Sequence, residues 1–245
     1  MAISQDQPGN MALNPIPGTA SLTTGKEVRE ASRSGALTTT TSGLAPSYIQ
    51  ANLIILPSRY ASDFRTLCAR NPVPCPLLAE SSSAGCYESL KSWVGPASGK
   101  PLASNLDIRR DAPKYMVYKD TILSKDGCSD ILDEWSEDHV AFLIGCSFSF
   151  ESALEEAGLA PRHTLRGTTV PMYRTNIPLS PAGAFDSGTY VVSMRPYKKK
   201  EVDTVRDITR AFVSTHGEPI AVSYKASSKK KKTKPDNAFS GDGMP

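Results

Sequence analysis

The run Val140-Ala-Phe-Leu-Ile-Gly145 constrains the fold more than any other stretch of this chain. It is apolar throughout and has the length of a strand, a pattern typical of strands that are buried on both faces of a sheet. Small polar residues follow it directly, and then Ala153, Leu154 and Ala157 recur at helical spacing before Gly158. The sequence therefore predicts a central buried strand at 140–145 followed by a helix at 149–156.

Strand and helix patterns alternate along the rest of the chain, which indicates a mixed α/β fold of mixed sheets with flanking helices. The 245 residues are enough for one compact domain or for two small lobes. Strands are predicted at 49–56, 115–118, 168–175 and 189–194. Helices are predicted at 26–33 and from Val202 to His216-Gly217. A further helix is predicted from Ser58, with Ala61, Phe64 and Cys68 on one face. A short helix is predicted after Ser129, with Ile131, Leu132 and Trp135 facing inward.

The two ends of the chain differ in composition from the middle. Residues 1–25 are rich in Pro, Gly, Thr and Ser without apolar periodicity, and residues 223–245 are rich in Lys, Ser and Gly. Such segments bury too little apolar surface to offset the entropy cost of ordering, so both are predicted to be disordered. We expect the folded domain to span 26–222.

Composition excludes several classes of protein. The formal net charge of +3 matches the lysine surplus of the last twenty residues, so the predicted domain itself is near neutral and nucleic acid is not an expected partner. The alternative is that the lysine-rich tail is a nuclear-import or nucleic-acid element. The longest apolar run is too short to cross a bilayer, and the start of the chain has no signal core.

The five cysteines favour a reducing compartment. They are irregularly spaced and odd in number, which is typical of reduced thiols. We expect a cytoplasmic protein, with a mitochondrial location as the alternative.

The junction after the central strand is the first candidate site. A strand that runs into a helix start directs unpaired backbone N–H groups at whatever lies beyond it, which suits a small anion. The alternative is that Ser147 and Ser149 simply cap the helix. Cys146 is either a thiol nucleophile near the helix N-terminus or a small residue that packs beside the site.

The same stretch carries a family resemblance. The run Ile144-Gly-Cys-Ser-Phe-Ser-Phe-Glu151, followed by Ala157-Gly158 and Arg162-His163, resembles the D-glutamate cyclase family of hydro-lyases. The resemblance covers residues 26 to about 220. Matching motifs occur in order at Gly43-Leu-Ala-Pro46 with Tyr48, Gln50-Ala-Asn-Leu53, Asn71-Pro72, Cys75-Pro-Leu-Leu78, Asp107-Ile-Arg109, Met172-Tyr-Arg-Thr175, Val191-Val-Ser-Met-Arg-Pro196 and His216-Gly217.

The resemblance implies an enzyme that converts D-glutamate to 5-oxo-D-proline and water, with a small amino acid as its partner. The resemblance does not decide whether the protein is a monomer or a homo-oligomer. Family members continue beyond the His-Gly motif with a segment that the lysine-rich tail replaces here, so the domain is expected to be C-terminally incomplete. A catalytically impaired protein that binds or senses a small acid is therefore the alternative.

The reaction needs a cationic clamp for carboxylate, a base for the ammonium group and an acid for the leaving oxygen. Arg109 and Arg195 are the expected clamp, because guanidinium groups pair bidentately with carboxylate. Glu151 is either a general base or acid of the reaction, or a carboxylate that only offsets the helix dipole.

No phosphate-binding loop or HExxH pair is present, so no nucleotide, metal or other cofactor is expected. The catalytic candidates are Glu151, His163, Cys146 and Ser147, and the substrate-binding candidates are Arg109, Arg195, Ser149, Tyr173, Thr175, Gln50 and Asn52.

Overall fold

The predicted central strand forms the middle of the largest sheet. In the computed structural model, which describes residues 22–95, 99, 103 and 105–223, this strand is β6, His139–Gly145. It lies between β1 (Ala51–Pro57) and β2 (Leu77–Ser81) and is antiparallel to both. β3 (Leu90–Ser92) pairs with β2, which gives the order β1-β6-β2-β3.

Both faces of β6 are covered, which explains why its apolar run is continuous. Val140, Phe142 and Ile144 point to one face, where they pack against helix α2 (Ala61–Arg70). Ala141 points to the other face and packs in a second cluster with Ala79, Leu90, Leu106 and Ile108. The prediction of a central buried strand is confirmed.

Helix α2 presents the predicted apolar face. Ala61, Phe64 and Cys68 are all buried, and the rings of Phe64 and Phe142 lie 4.8 Å apart. A short 3-10 turn at Ser58–Tyr60 precedes the helix, so Ser58 is not its capping residue.

Two hairpins flank the sheet. β4 (Tyr115–Lys119) pairs with β5 (Ile122–Cys128), and β7 (Met172–Pro178) pairs with β8 (Thr189–Ser193). The prediction of a helix after Ser129 is wrong. The chain forms a turn there, and the two residues predicted to face inward together do not do so, since Ile131 is buried while Leu132 is 42% exposed.

The N-terminal helix α1 (Gly25–Arg33) agrees with its prediction. Thr24 accepts the backbone N–H of Glu27, and the Glu27 carboxylate accepts the backbone N–H of Thr24 in return. Val28 packs with Leu37 and Ala45, which brings the 37–48 loop under this helix. Most of the predicted lead-in and nearly all of the predicted lysine-rich tail lie outside the described residues.

The last described segment packs against the end of β6. Helix α5 (Val202–Thr209) ends earlier than predicted, and a 3-10 turn at Val213–Thr215 follows it. A Cβ at position 145 would overlap the carbonyl oxygen of Ser214, so only glycine permits this close approach. Two short helices, α3 (Glu151–Glu156) and α4 (Arg162–Leu165), complete the structure, and α3 packs on α5 through Leu154 and Val205.

All five cysteines are free thiols. None of the helices in the described part of the chain is long and apolar enough to cross a membrane. Nor do the described residues bring together three His, Cys, Asp or Glu side chains that could hold a metal ion.

Candidate active site

The junction after β6 differs from the predicted strand-to-helix step. A 3-10 turn at Ser147–Phe150 intervenes, and α3 starts only at Glu151 and has six residues. Neither element has a side-chain capping bond, so the interpretation of Ser147 and Ser149 as caps is wrong. The N–H of Ser149 is already bonded to the carbonyl of Cys146, and such a short helix does not support the predicted anion site.

Glu151 is the centre of a buried group of polar side chains. It is 3% exposed, and its Oε1 accepts bonds from Arg195 Nε at 3.1 Å and Arg195 Nη2 at 2.6 Å. Its Oε2 accepts a bond from the Ser42 hydroxyl at 3.1 Å. Glu151 is thus held by a charge-assisted pair and a hydroxyl, and it is more than an acid that offsets a helix dipole.

Arg195 links Glu151 to the strand–helix junction. Its Nη2 also donates to Ser147 Oγ at 2.9 Å, and its guanidinium carbon lies 4.9 Å from the centre of the Phe150 ring. Arg195 is the second residue after β8, so the hairpin carries the cation to the end of β6. Because its guanidinium is committed to Glu151 and Ser147, Arg195 is not an open clamp for a second carboxylate.

His163 completes the group from helix α4. Its Nε2 lies 2.9 Å from Glu151 Oε1, and the side chain is buried. The imidazole is not oriented toward Glu151 for a hydrogen bond, so the 2.9 Å approach is a close contact only. Within the described residues Nε2 has no other hydrogen-bond partner. Burial lowers the pKa of His163, the Arg195 charge lowers it further, and Glu151 opposes both. The imidazole is therefore neutral at neutral pH, with one polar nitrogen not aligned to any partner.

A cavity of about 40 Å³ lies beside Glu151. The 43–48 loop forms one wall, and Phe148, Ser149 and α3 form the other. The charged residues in its lining are Glu151 and Glu155, one helical turn apart on the same face of α3. Burial and the Glu151 charge raise the pKa of Glu155. Glu151, which is paired with Arg195, and Glu155, whose pKa is raised, thus face one small space.

Gln50 and Ser149 join the two walls of the cavity. The backbone N–H of Gln50 donates to Ser149 Oγ at 2.8 Å, and its side-chain oxygen accepts a bond from Thr41 at 2.7 Å. Its side-chain nitrogen donates to the Leu44 carbonyl at 3.2 Å. Gln50 therefore holds the 41–44 segment in place, and its polar atoms are occupied within the protein.

The other predicted site residues lie elsewhere or bond locally. Arg109 pairs with Asp107 at 2.8 Å and lies 3.4 Å from the centre of the Tyr87 ring. The rings of Tyr87 and Trp135 meet edge to face, and Trp135 contacts His139 at the opposite end of β6 from Cys146. The contacts of Arg109 among the described residues thus do not place it with Arg195, and the predicted clamp of two arginines is not formed.

The remaining candidates have structural partners. Thr175 Oγ1 donates to the Tyr190 carbonyl across the β7–β8 hairpin, at 2.9 Å. Tyr173 lies opposite Val192 in the same hairpin, and Asn52 lies opposite Ile144 on β1. Burial raises the pKa of the Cys146 thiol, which disfavours a nucleophilic thiolate.

Sequence reasoning missed two residues of this site. Ser42 lies 109 positions from Glu151, and no local pattern connects them. Glu155 carried a usable signal, because its spacing of four residues from Glu151 on a predicted helix places both carboxyl groups on one face.

Comparison with known proteins supports the resemblance in the sequence. Residues 140–238 match the family model described as D-glutamate cyclase, a match that extends past the expected domain boundary at 222. A protein of Azorhizobium caulinodans named "putative hydro-lyase" is 47% identical, over 84% of this chain and 71% of its own length. Similarly named proteins of Schizosaccharomyces pombe and Bordetella pertussis are 46% and 47% identical, each over 80% of this chain. The chain spans only 62% and 66% of the lengths of those two relatives.

Proposed function

This chain belongs to the D-glutamate cyclase family of hydro-lyases, and we propose that it dehydrates D-glutamate to 5-oxo-D-proline at the Glu151 cavity. In this reaction the α-amine attacks the side-chain carboxyl carbon, a C–N bond forms, and one carboxyl oxygen leaves as water. The observation that carries the proposal is a buried Glu151–His163–Arg195 group beside a cavity lined by a second carboxyl group.

His163 is the base in this proposal. An amine attacks only after its ammonium form has lost a proton, and a neutral imidazole accepts that proton. Burial holds His163 neutral at neutral pH, and its Nε2 is not engaged in an aligned bond. The neighbouring Glu151 carboxylate stabilises the imidazolium that forms, in the way that a buried carboxylate supports a catalytic histidine in other enzymes.

Arg195 and Glu151 are positioning residues. Arg195 fixes Glu151 Oε1 through two N–H groups, and Glu151 in turn lies against His163. The Arg195 charge also offsets the charge of Glu151, so the buried group does not repel an anionic substrate as two bare carboxylates would.

The acidic lining orients the substrate. Glu151 and Glu155 line one wall of the cavity, and the Glu151 carboxylate attracts the ammonium group. The α-carboxylate of the substrate then faces the hydroxyl-bearing 43–48 loop, where Ser47 and Tyr48 line the cavity, and the side-chain carboxyl group lies toward Glu155.

The test is to incubate the purified full chain with D-glutamate and to measure 5-oxoproline by mass spectrometry. L-glutamate serves as the control for stereochemistry. We expect steady 5-oxoproline formation above the rate without enzyme. An inactive, folded protein would contradict the proposal, and protection of that protein from thermal unfolding by D-glutamate would favour a binding role instead.

A further inference from the structure

We propose that Glu155 is the catalytic proton donor of this site, contacting the substrate's side-chain carboxyl group and protonating the oxygen that leaves as water. This inference rests on the proposed function and adds a residue to it. A carboxylate oxygen is a poor leaving group until it is protonated, so the reaction requires an acid within reach of the cavity.

Glu155 is placed and available for this task. It lines the cavity with Glu151 and is partly buried. Its carboxyl group accepts no hydrogen bond and forms no ion pair with any other residue in the described ranges 22–95 and 105–223. A half-buried carboxyl group without a protein partner that lines a cavity is free to bond to what enters that space.

The other protic groups of the cavity are weaker candidates. The hydroxyl of Ser149 is engaged with the backbone of Gln50, both as acceptor and as donor. Serine hydroxyls are far too weak as acids, and a phenol is a much weaker acid than a carboxyl group. Glu155 is therefore the strongest acid in the lining that is not already paired.

The two glutamates differ in the way that an acid–base division of labour requires. Arg195 pairs with Glu151 at 2.6 Å, whereas burial and the nearby Glu151 charge favour the protonated form of Glu155 and raise its pKa. A carboxyl group that favours its proton, beside one that is ion-paired, suits the role of the acid.

The proton balance closes without a co-reactant. The ammonium group starts with three hydrogens and the lactam nitrogen keeps one, so two protons leave nitrogen. Two protons arrive on the leaving oxygen to make water. His163 accepts one proton from nitrogen and Glu155 donates one to oxygen in each of two stages. After each stage the proton on His163 returns to Glu155 through solvent, so two protons move in total and both groups are restored.

The test compares E155Q with E156Q in the full chain. Glu156 is the next residue of α3 and is exposed, so E156Q makes the same change of charge outside the cavity. Glutamine cannot donate a carboxyl proton, so E155Q should lower kcat by about 10²- to 10⁴-fold with little change in KM. E156Q should stay within about twofold of wild type.

The pH profile gives an independent readout. The donor must be protonated, so the wild-type rate should fall as pH rises through the pKa of Glu155. E155Q should lose this alkaline limb, and E155D should keep measurable activity with a shifted limb. An active wild type with E155Q within threefold of it, or with an equal loss in E156Q, would overturn the role of Glu155. If E155Q folds poorly, an alkaline limb that E155D leaves unshifted would overturn it as well. An inactive wild type would instead contradict the proposed function.

Discussion

Two buried glutamates of this protein have similar partners and different surroundings. Glu80, on β2, is 1% exposed and pairs with Arg65 at 2.6 Å and Lys91 at 2.8 Å. Glu151 is 3% exposed and pairs with Arg195 at 2.6 Å, and it lies 2.9 Å from His163. Glu80 faces two charged cations, whereas one of the neighbours of Glu151 is an imidazole whose pKa is lowered by burial, so that it is neutral at neutral pH.

This difference separates a structural ion pair from a chemical site. The partners of Glu80 extend toward solvent, and Glu80 is not among the residues that line the cavity. Glu151 lines the cavity together with Glu155, and it lies against the neutral imidazole of His163. A buried charge pair is thus weak evidence for function by itself, and a titratable partner beside an open space is stronger evidence.

Replacing the base should have the largest effect. His163→Gln removes the proton acceptor and should lower kcat by about 10²- to 10⁴-fold. His139→Gln is the matched control, because His139 is a partly buried imidazole at the other end of β6. Steady-state kinetics of both variants check this. Equal losses of kcat in the two variants would show that the imidazole at Glu151 matters no more than the one at the other end of β6.

Replacing the guanidinium group of Arg195 by an ammonium group should have the next largest effect. Arg195→Lys keeps the charge but loses the two-N–H contact with Glu151. Losing one charge-assisted bond costs about 1.5–3 kcal/mol, which corresponds to a rate loss of about ten- to a hundredfold. Arg65→Lys, at the Glu80 pair, should leave kcat within about twofold of wild type. A larger loss in Arg65→Lys than in Arg195→Lys would reverse the comparison.

The Glu80 pair should contribute to stability instead. Glu80→Gln should lower the free energy of unfolding by about 1.5 kcal/mol, the lower end for a bond to a charged group. The lower end applies because the side chains of Arg65 and Lys91 are 37% and 41% exposed and can be hydrated. Urea titration measures this, and an unchanged midpoint would show that the pair contributes nothing.

Apolar patterns were enough to predict two elements of the main core. Helix α2 agrees with its prediction because its apolar residues repeat at helical spacing, and strand β6 agrees because its apolar run is continuous. Strands β2, β3 and β5 were missed. β5 carries Ser124, Lys125 and Asp126 and is mostly exposed, so its strand conformation comes from pairing with β4 rather than from its own pattern.

The site was predicted in part for the same physical reason. Glu151, His163 and Arg195 belong to family motifs and do come together. Arg109 also belongs to one, but its guanidinium packs on Tyr87 beside Asp107. Sequence alone does not reveal which arginine meets which carboxylate, because that choice depends on the packing of distant segments.

The smallest expected effect is on the pH dependence of stability. The pKa of His163 is lowered in the folded protein, so the unfolded chain binds the extra proton below about pH 6.5. Stability should therefore fall as pH falls through this range, and His163→Gln should reduce that fall. Thermal midpoints at pH 7.5 and 5.5 test this, and an equal or steeper decline in His163→Gln would contradict the direction of the shift.

Whether Glu151 serves the chemistry and Glu80 only the structure is tested most directly by one assay. The rate of 5-oxoproline formation from D-glutamate is measured side by side for the wild type, Glu151→Gln and Glu80→Gln. We predict a loss of about a hundredfold for Glu151→Gln, because two bonds from Arg195 and the support of His163 are weakened together. Glu80→Gln should keep at least about half of the wild-type rate at a temperature where it is folded. A Glu151→Gln protein that forms 5-oxoproline as fast as the wild type would contradict the account.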